Sequence, residues 1–517
     1  MKKIIVLGGG TAGWLTALLV REFYPDFDIT LVESDAIGIL GAGEGTVPHI
    51  VSVLDLLKIP VSALFKYCGA TLKTGIKFTN WHGDGTSYFH NFSANDELEM
   101  WSLDRMFRFN VLPTMLVGQN INLDEASFVA KIAAQGKVPF VWPTAEESRS
   151  SQFPDPINSV HHLASFALHF DARLLAKYLS KIAQVDRKIN RIEGKLSQVI
   201  ADQQGNITGL LLDNGRSVEG DFIFDCSGFA RLILGKHFKE TWVDYSEYLP
   251  MNAAMPFFLP HDGANLPPFT ESIAMKYGWI WKIPVQDRYG CGYVFDSSFI
   301  DNDEARLEAE EYFGCEINSP GTFKFGAGAF RKSLVKNCFA VGLSQNFVEP
   351  LEATSIWVFT KNLINFLKSD AINVLSETLE RQINTSCALV TDAMVEFLQL
   401  HYLTQRRDST FWRSFQDRMT TTPSLREKLA LWQELPLFDY DTVQLEMFKA
   451  PSWITVGAGT RNFRGATFKR FSDNLCFEQN IAQGYELLKK KQAYAGNACM
   501  SHGEFIALLK TAGVERK

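Results

Sequence analysis

The feature that most constrains this chain is a glycine-rich turn close to its amino terminus. Residues 3–7 form a short apolar run, residues 8–13 (GGGTAG) follow it, and residues 11–23 carry a helical apolar pattern. This order predicts a buried parallel strand, a tight turn and a helix, because glycines let the N–H groups at a helix start approach a pyrophosphate. Residues 28–33 predict the next strand, so the chain opens with a β-α-β unit of the dinucleotide-binding type.

An acidic residue refines this prediction. Glu33 ends the second predicted strand, where a carboxylate accepts hydrogen bonds from a ribose and repels a 2′-phosphate. FAD is favoured over NAD, because residues 225–228 (DCSG) and residues 337–342, followed by residues 349–352 (EPLE), return late in the chain to the same sheet. The structural alternatives are a plain tight turn and ordinary strand ends.

The composition excludes several classes of protein. The chain has 517 residues, of which 46% are hydrophobic and 21% charged, so it can bury a large core and is not disordered. A formal net charge of −7 argues against a nucleic-acid partner. The eight cysteines have no zinc spacing and no apolar stretch is long enough to span a membrane, which predicts a cytoplasmic protein with reduced thiols and no metal site.

Aromatic residues make up 13% of the chain and include 40 phenylalanines. A Phe-rich core explains this number, and so does a pocket that stacks against a flat substrate. Residues 279–284 (WIWKIP) raise the same question. Trp279 and Trp281 project to one face of a predicted strand, where they form either a wall of a site or part of the core.

The middle of the chain predicts two kinds of segment. Residues 71–81 alternate as a single strand, with apolar side chains on one face and Lys73 and Lys77 on the other. Residues 82–165 are expected to form an irregular excursion that includes a polar loop over residues 143–159.

The remaining pattern is that of an α/β protein. Asp171 is a predicted helix N-cap, residues 195–225 predict hairpin strands, and residues 250–298 predict further strands. Residues 354–368 predict a helix, and from about residue 371 the pattern is mostly helical. The predicted fold is an FAD-binding Rossmann-like domain of the monooxygenase type, with an interleaved β-sheet substrate region and a mostly helical carboxy-terminal part.

A second glycine-rich segment follows the β-α-β unit. In residues 41–48 (GAGEGTVP), small residues would let the backbone run close to a flavin, and Glu44 could bind the cofactor or a nearby amide. A flexible loop is the alternative.

Together these motifs resemble the flavin-dependent halogenases of the tryptophan halogenase family. The motifs occur in the family's order over residues 1–370, and the resemblance is looser beyond. They are GGGTAGW at 8–14, GAGEGTVP at 41–48, HFDA at 169–172, FDCSG at 224–228, WIWKIP at 279–284 and FVEPLEAT at 347–354.

The resemblance implies both an architecture and a reaction. FADH2 from a separate reductase, with O2 and a halide (chloride or bromide), gives hypohalous acid, which passes down a tunnel and halogenates an electron-rich, indole-like or tryptophan-like molecule by electrophilic substitution. A flavin-dependent aromatic hydroxylase and a non-catalytic flavoprotein are the alternatives. The implied domains are a flavin "box" over 1–370 (cofactor segments about 1–80, 166–235 and 325–370, with insertions about 82–165 and 236–324) and a helical "pyramid" over 371–517 that covers the substrate.

Two residues match the family's catalytic positions. Lys73 matches the essential lysine, which hydrogen-bonds hypohalous acid or is halogenated to a haloamine, whereas Lys77 would be structural. Glu352 matches the glutamate that stabilises the charge developing on the arene or accepts its proton. Glu349 is the alternative carboxylate, unless it has a surface or capping role.

The resemblance also implies the binding residues. The backbone N–H groups of Thr354 and Ser355, at a helix start, would bind halide. His90 and Phe92 would sandwich the aromatic substrate, unless they only pack locally, and Trp453 is a candidate for the rest of the substrate. A homodimer is possible. The expected cofactor contacts are Gly8, Gly10, Thr11, Ala12, Gly13, Glu33, Ser34, Ala42, Glu44, Ile192 and Leu351.

Overall fold

The computed structural model describes residues 1–38, 43–92, 117, 122–142, 156–263, 265–418, 420–435, 447–463, 469–470 and 478–511. One sheet of the molecule has six strands, and five of them are parallel. In spatial order its strands are Asn190–Glu193, Asp28–Glu33, Lys3–Leu7, Phe222–Asp225, Cys338–Ala340 and Leu334–Val335.

This sheet confirms the predicted β-α-β unit and the late return of the chain. The helix Thr11–Phe23 packs on the sheet together with the helices Ala172–Val185 and Ser355–Lys368. These parallel strands read as continuous apolar runs because helices cover the sheet. Asp171 caps its helix as predicted, since its side chain accepts hydrogen bonds from the N–H groups of Arg173 and Leu174.

A second sheet has seven strands. Residues 250–298 supply four of its strands, as predicted, and Gly278–Pro284, which carries both tryptophans of the WIWKIP motif, lies in its middle. Its strands, in spatial order, are Phe323–Lys324, Ala253–Leu259, Tyr289–Phe295, Gly278–Pro284, Thr270–Ala274, Gly75–Thr79 and Ser87–Asn91.

The prediction of one strand over residues 71–81 is wrong. Thr71–Lys73 pairs with Ala167–Phe170, whereas Gly75–Thr79 belongs to the seven-stranded sheet. The break is at Thr74, whose N–H and hydroxyl both donate to the carbonyl of Pro268, at 2.7 and 2.8 Å. Lys73 and Lys77 therefore lie on different sheets and do not share a strand face.

The predicted irregular excursion over residues 82–165 is also wrong for the residues that the structure describes there. They form the strands Ser87–Asn91 and Lys137–Val141 and the helices Leu123–Ala126 and Phe128–Ala134. Of the predicted polar loop, residues 143–155 lie outside the described residues, and Pro156–Ser159 is a short 3₁₀ helix.

The carboxy-terminal part is mostly helical, as predicted. Its longest helix, Glu377–Tyr402, carries its buried side chains toward the seven-stranded sheet. The strand Cys499–Ser501 pairs with Lys137–Val141 and so connects the end of the chain to the insertion. In the described parts of the chain, no helix has the length and apolar character needed to cross a membrane.

The other elements support these two sheets. The predicted hairpin strands are present as Leu196–Ala201, Ile207–Leu212 and Ser217–Glu219. The remaining strands are Glu44–Gly45, His161–His162, Trp242–Asp244, Gly328–Phe330 and Asn346–Phe347. The remaining helices and helical turns are His49–Leu56, Val61–Tyr67, Gly228–Ala230, Leu232–His237, Asn302–Phe313, Gly342–Ser344, Pro350–Glu352, Thr410–Arg418, Pro423–Glu434, Ala450–Gly459, Glu478–Ala498 and His502–Thr511.

Candidate active site

The glycine-rich turn is shaped to receive an anion. Gly8 has φ +119°, and a side-chain carbon there would collide with the carbonyl of Cys226, so the turn and the DCSG segment touch. Gly10 is the N-cap of the helix Thr11–Phe23, and no side chain caps this helix. The first N–H groups of the helix, together with its positive dipole end, therefore suit a pyrophosphate.

Most of the predicted cofactor residues lie at one edge of the six-stranded sheet. Glu33 reaches back over Gly9 and forms an ion pair with Arg191 at 2.5 Å. Ser34 Oγ donates to Glu193 at 3.1 Å, and Ile192 is buried beside Val32 on the neighbouring strand. Thr11, Ala12 and Gly13 form the first helical turn beside them, whereas Ala42 lies outside the described residues.

Glu44 lies half-buried against the same helix start. Its Oε1 is 3.5 Å from Thr11 Oγ1, and its Oε2 has no hydrogen-bond partner among the described residues. Burial raises the pKa of Glu44 to about 7, although the hydrogen bond from Thr11 opposes this. Glu44–Gly45 pairs with Phe170 and His169, so this part of the segment is a strand and not a flexible loop.

These residues fit a flavin dinucleotide. The uncapped helix start suits its phosphates, Glu33 suits a ribose, and the unpaired oxygen of Glu44 suits a donor brought by the cofactor. Leu351 is buried in the turn before the helix Ser355–Lys368. Thr354 is the N-cap of that helix, and no side chain caps it, so the N–H groups of Thr354 and Ser355 lie at an uncapped helix start, and halide binding there stays a prediction.

Lys73 is fully buried, and its Nζ has no hydrogen-bond partner among the described residues. The nitrogen lies 5.2 Å from the centre of the Phe92 ring. Burial lowers the pKa of Lys73 to about 7, although the nearby charge of Glu352 opposes this shift. A buried amine without a partner is costly, which marks this residue as a candidate for chemistry rather than for packing.

Glu352 lies between two histidines that come from different elements. His90 Nδ1 on the strand Ser87–Asn91 and His401 Nε2 on the helix Glu377–Tyr402 are 2.9 and 2.7 Å from the same oxygen, Oε1. Its Oε2 has no partner among the described residues. Burial alone would raise the pKa of Glu352, but the two histidines outweigh it and lower the pKa to about 2. Glu352 is therefore a carboxylate.

His401 is a site residue that sequence reasoning missed. It lies beyond the segment that resembles the family, and a single histidine in a helical pattern carries no distinguishing signal. The predicted substrate residues lie beside the two predicted catalytic residues, since His90 contacts Glu352 and Phe92 contacts Lys73. His90 belongs to a strand and not to a loop. Whether both residues hold the substrate stays a prediction.

Glu349 is fully buried, so the surface interpretation is wrong. It accepts a hydrogen bond from the Tyr402 hydroxyl, which in turn accepts one from Trp279 Nε1 at 2.8 Å. Burial raises the pKa of Glu349 to about 8, and the bond from Tyr402 offsets only part of this rise. Near neutral pH this side chain is a largely uncharged acid, in contrast to Glu352.

The three tryptophans singled out in the sequence lie in or against the core. Trp279 is buried in the core, and the half-buried Trp281 packs against that core with its ring centred 6.3 Å from the Trp279 ring, so the pair contributes to packing and its role as a wall of a site stays a prediction. Trp453 packs fully buried against Trp432 and Phe397. The structure thus places Trp453 in the aromatic core, and its role toward a substrate stays a prediction.

The comparisons with known proteins identify the family of the chain. A family model described as tryptophan halogenase matches residues 3–472. The tryptophan 6-halogenase ThaL of Streptomyces albogriseolus is 30% identical over 475 residues, covering 86% of this chain and 85% of that protein. The tryptophan 7-halogenase RebH of Lentzea aerocolonigenes is 31% identical over 443 residues, covering 83% of this chain and 82% of that protein.

Solved structures are similar over nearly the whole chain. The tryptophan 6-halogenase SttH from Streptomyces toxytricini has a TM-score of 0.86 at 25% identity and covers 98% of this chain and 100% of that one. BrvH, a flavin-dependent halogenase from Brevundimonas sp. BAL3, has a TM-score of 0.82 at 28% identity and covers 98% and 99%. The chain therefore belongs to the tryptophan halogenase family and is a flavin-dependent halogenase.

Proposed function

We propose that this enzyme uses FADH2 from a separate reductase, O2, and chloride or bromide to halogenate a free, electron-rich aromatic molecule of the indole or tryptophan type. The observation that carries the proposal is the pair formed by Lys73 and Glu352. Lys73 is a buried amine without a partner, and it lies near a buried carboxylate that two histidines keep ionised. This is the arrangement that electrophilic substitution on an arene needs.

The flavin would bind at the carboxyl ends of the parallel strands in the six-stranded sheet. Residues of the glycine turn, with Glu33, Ser34 and Glu44, would hold FAD, and reduced FAD supplies the electrons with which O2 and halide give hypohalous acid. Leu351 would lie against the cofactor. The uncapped helix start at Thr354 and Ser355 would hold the halide, since its N–H groups and dipole favour an anion.

Lys73 would orient the oxidised halogen. In the hydrogen-bonding form of the reaction, its ammonium donates to the oxygen of hypohalous acid. As the arene forms its carbon–halogen bond, the halogen–oxygen bond breaks and the proton of Lys73 converts the departing hydroxide to water. Before this step, the nearby Phe92 ring gives the ammonium a cation–π contact.

Glu352 would complete the substitution. Its ionised carboxylate stabilises the positive charge that develops on the ring and then accepts the proton from the halogenated carbon. Because Oε1 already accepts from both histidines, the unpaired Oε2 is the oxygen available for this proton. His90 and Phe92, which contact the two catalytic residues, would hold the flat substrate between them.

The two parts of the chain would have different roles. We propose that residues 1–370 form the flavin module and that residues 371–517 cover the substrate. The helix Glu377–Tyr402 supports this, because it supplies His401 to Glu352.

Incubation with FAD, a flavin reductase, halide and a panel of indoles and phenols tests the function by mass spectrometry. Halogenated product is the expected result. Hydroxylated product would instead identify an aromatic hydroxylase, and flavin binding without turnover would identify a non-catalytic flavoprotein. Lys73→Ala serves as the matched blank, and equal halogenation by this variant would overturn the assignment of the lysine.

A further inference from the structure

A chain of hydrogen bonds links the WIWKIP and HFDA motifs through Thr71, two residues before Lys73, and continues to Thr270. The Thr71 hydroxyl lies 2.6 Å from the carbonyl of Pro284, which ends the WIWKIP motif, and 3.0 Å from His169 Nδ1 in the HFDA motif. His169 Nε2 lies 2.9 Å from Thr270 Oγ1. His169 lies directly opposite Thr71 on the paired strand, and Lys73 follows two residues later on the same strand face.

The direction of every bond in this chain follows from the carbonyl at its end. A carbonyl only accepts, so the Thr71 hydroxyl donates to Pro284 and its oxygen accepts from His169 Nδ1–H. The other ring nitrogen, Nε2, is then bare and accepts from the Thr270 hydroxyl. Burial, with Lys73 and His502 nearby, lowers the pKa of His169 well below its usual range, consistent with this neutral tautomer.

The result is a hydroxyl with a preset role. The hydrogen of Thr270 is committed to His169, so toward any other molecule Thr270 Oγ1 can act only as an acceptor. The side chains of Thr71, His169 and Thr270 are all buried, which keeps water from competing for these bonds.

Gly45 brings this acceptor and Lys73 to one point. A side-chain carbon at Gly45 would lie 3.2 Å from Lys73 Nζ, 3.4 Å from Ala353 Cβ and 3.5 Å from Thr270 Oγ1. Lys73 Nζ and Thr270 Oγ1 therefore border the same side of Gly45, and no side chain at residue 45 separates this donor from this acceptor. Since Lys73 Nζ has no partner among the described residues, its free donors are available at this point.

We propose that Thr270 is a third catalytic residue, which with Lys73 binds hypohalous acid beside Gly45, and that His169 and Thr71 position it. This rests on the proposed function. The ammonium of Lys73 donates to the oxygen of hypohalous acid, and Thr270 accepts its O–H. Both ends of the O–H group are then held, and the halogen is the end left to meet the arene. The step forms no covalent bond.

The test compares Thr270→Val, which keeps the shape and loses the hydroxyl, with Thr270→Ser, which keeps the hydroxyl. Each variant is assayed with FAD, a reductase, bromide and an indole, in the presence of a 1,3-diketone that traps free hypohalous acid. Thr270→Val is expected to lose about tenfold in halogenated indole, the value of one hydrogen bond, while the trapped product rises. Thr270→Ser is expected to restore most of the yield, which a purely structural role would not predict.

Gly45→Ala provides a second variant in case Thr270→Val does not fold, because its methyl group would project toward both Lys73 Nζ and Thr270 Oγ1 and should also divert halogen to the trap. A product-to-trap ratio that stays at the wild-type value in folded Thr270→Val or Gly45→Ala overturns the inference. If the wild-type enzyme halogenates nothing, the proposed function fails and this inference fails with it.

A measurement without turnover checks the chain itself. In protein labelled with ¹⁵N-histidine, the ring of His169 should show a protonated Nδ1 and a bare Nε2. The opposite tautomer, or a ring with both nitrogens protonated, contradicts the assigned direction of the bonds.

Discussion

Two buried carboxylates lie at the two ends of one short turn, and their charges differ. Glu349 precedes the Pro350–Glu352 turn and Glu352 ends it, and both are fully buried. The pKa of Glu349 is raised by burial to about 8, whereas that of Glu352 is lowered, against burial, by His90 and His401 to about 2. Burial alone therefore does not decide charge, and the number of charged or donating partners does.

The adjacent residues of one helix supply the main partners. His401 contacts Glu352 and Tyr402 contacts Glu349, so neighbouring positions on the helix Glu377–Tyr402 serve opposite purposes. Tyr402 also accepts from Trp279, which ties Glu349 to the seven-stranded sheet. Glu352 thus has the charge that the proposed proton transfer needs, whereas Glu349 holds Tyr402 against Trp279.

The largest effect is expected from neutralising the ionised carboxylate. Glu352→Gln should reduce the halogenation kcat by about 10²–10⁴-fold, because the proton acceptor is lost. Glu349→Gln is the matched control. Since Glu349 is already mostly uncharged at pH 7, the amide should leave kcat close to wild type. Equal losses in the two variants, measured by product formation with unchanged flavin binding, would remove the distinction between them.

The amine next to Glu352 should show a trade-off between activity and stability. Lys73→Met should reduce halogenation at least about 100-fold. It should also raise the melting temperature, because the burial that lowers the pKa of Lys73 costs stability at every pH below the ordinary pKa of a lysine, by about 2 kcal/mol or more at pH 7. Lys77→Met, at a half-buried position in the seven-stranded sheet, should do neither. A less stable Lys73→Met protein would contradict the origin of the lowered pKa.

The two helix neighbours allow a finer comparison. His401→Phe removes one of the two histidine partners of Glu352, so the pKa of Glu352 should rise and the acid limb of the pH–rate profile should move to higher pH, with kcat falling about tenfold. Tyr402→Phe should leave that limb in place and cost about 1–3 kcal/mol of stability, because Glu349 and Trp279 lose their partner. A pH–rate profile and thermal melts of both variants separate these effects.

The last comparison concerns how the stability of the protein changes with pH. Because the folded protein holds the proton of Glu349 up to about pH 8, the unfolded chain loses this proton first and the wild type should lose stability between about pH 4.5 and 8. Glu349→Gln cannot titrate there, so its melting temperature should gain on that of the wild type across this interval. A constant difference between pH 5 and 8 would show that Glu349 is ionised in the folded protein.

The opening β-α-β unit could be predicted, because its strands and helix depend on local sequence. The strand Lys3–Leu7, the helix Thr11–Phe23 and the strand Asp28–Glu33 have the predicted bounds, since their apolar periods and the glycine turn are short-range properties. The segment around Lys73 could not be divided by the same reasoning. A segment that passes from one sheet to another keeps its alternation of apolar and polar residues. Only the tertiary structure, through the strand pairings and the bond from Thr74 to Pro268, shows where one strand ends and the next begins.

The candidate site shows the same limit. Motifs indicated Lys73, Glu352 and His90, but nothing in the pattern indicated His401 or Thr270. Their roles depend on partners that are distant in the chain, 49 residues from Glu352 for His401 and 101 residues from His169 for Thr270.

By itself, the sequence determined the β-α-β unit, the order of the motifs and the residue types that can carry out the chemistry. Only the tertiary structure decided which acid is charged, which lysine is buried and in which direction the hydrogen bonds run. The physical reason is that charge and proton position in a buried site depend on desolvation and on the donors within hydrogen-bond reach, and both arise only when distant segments pack together.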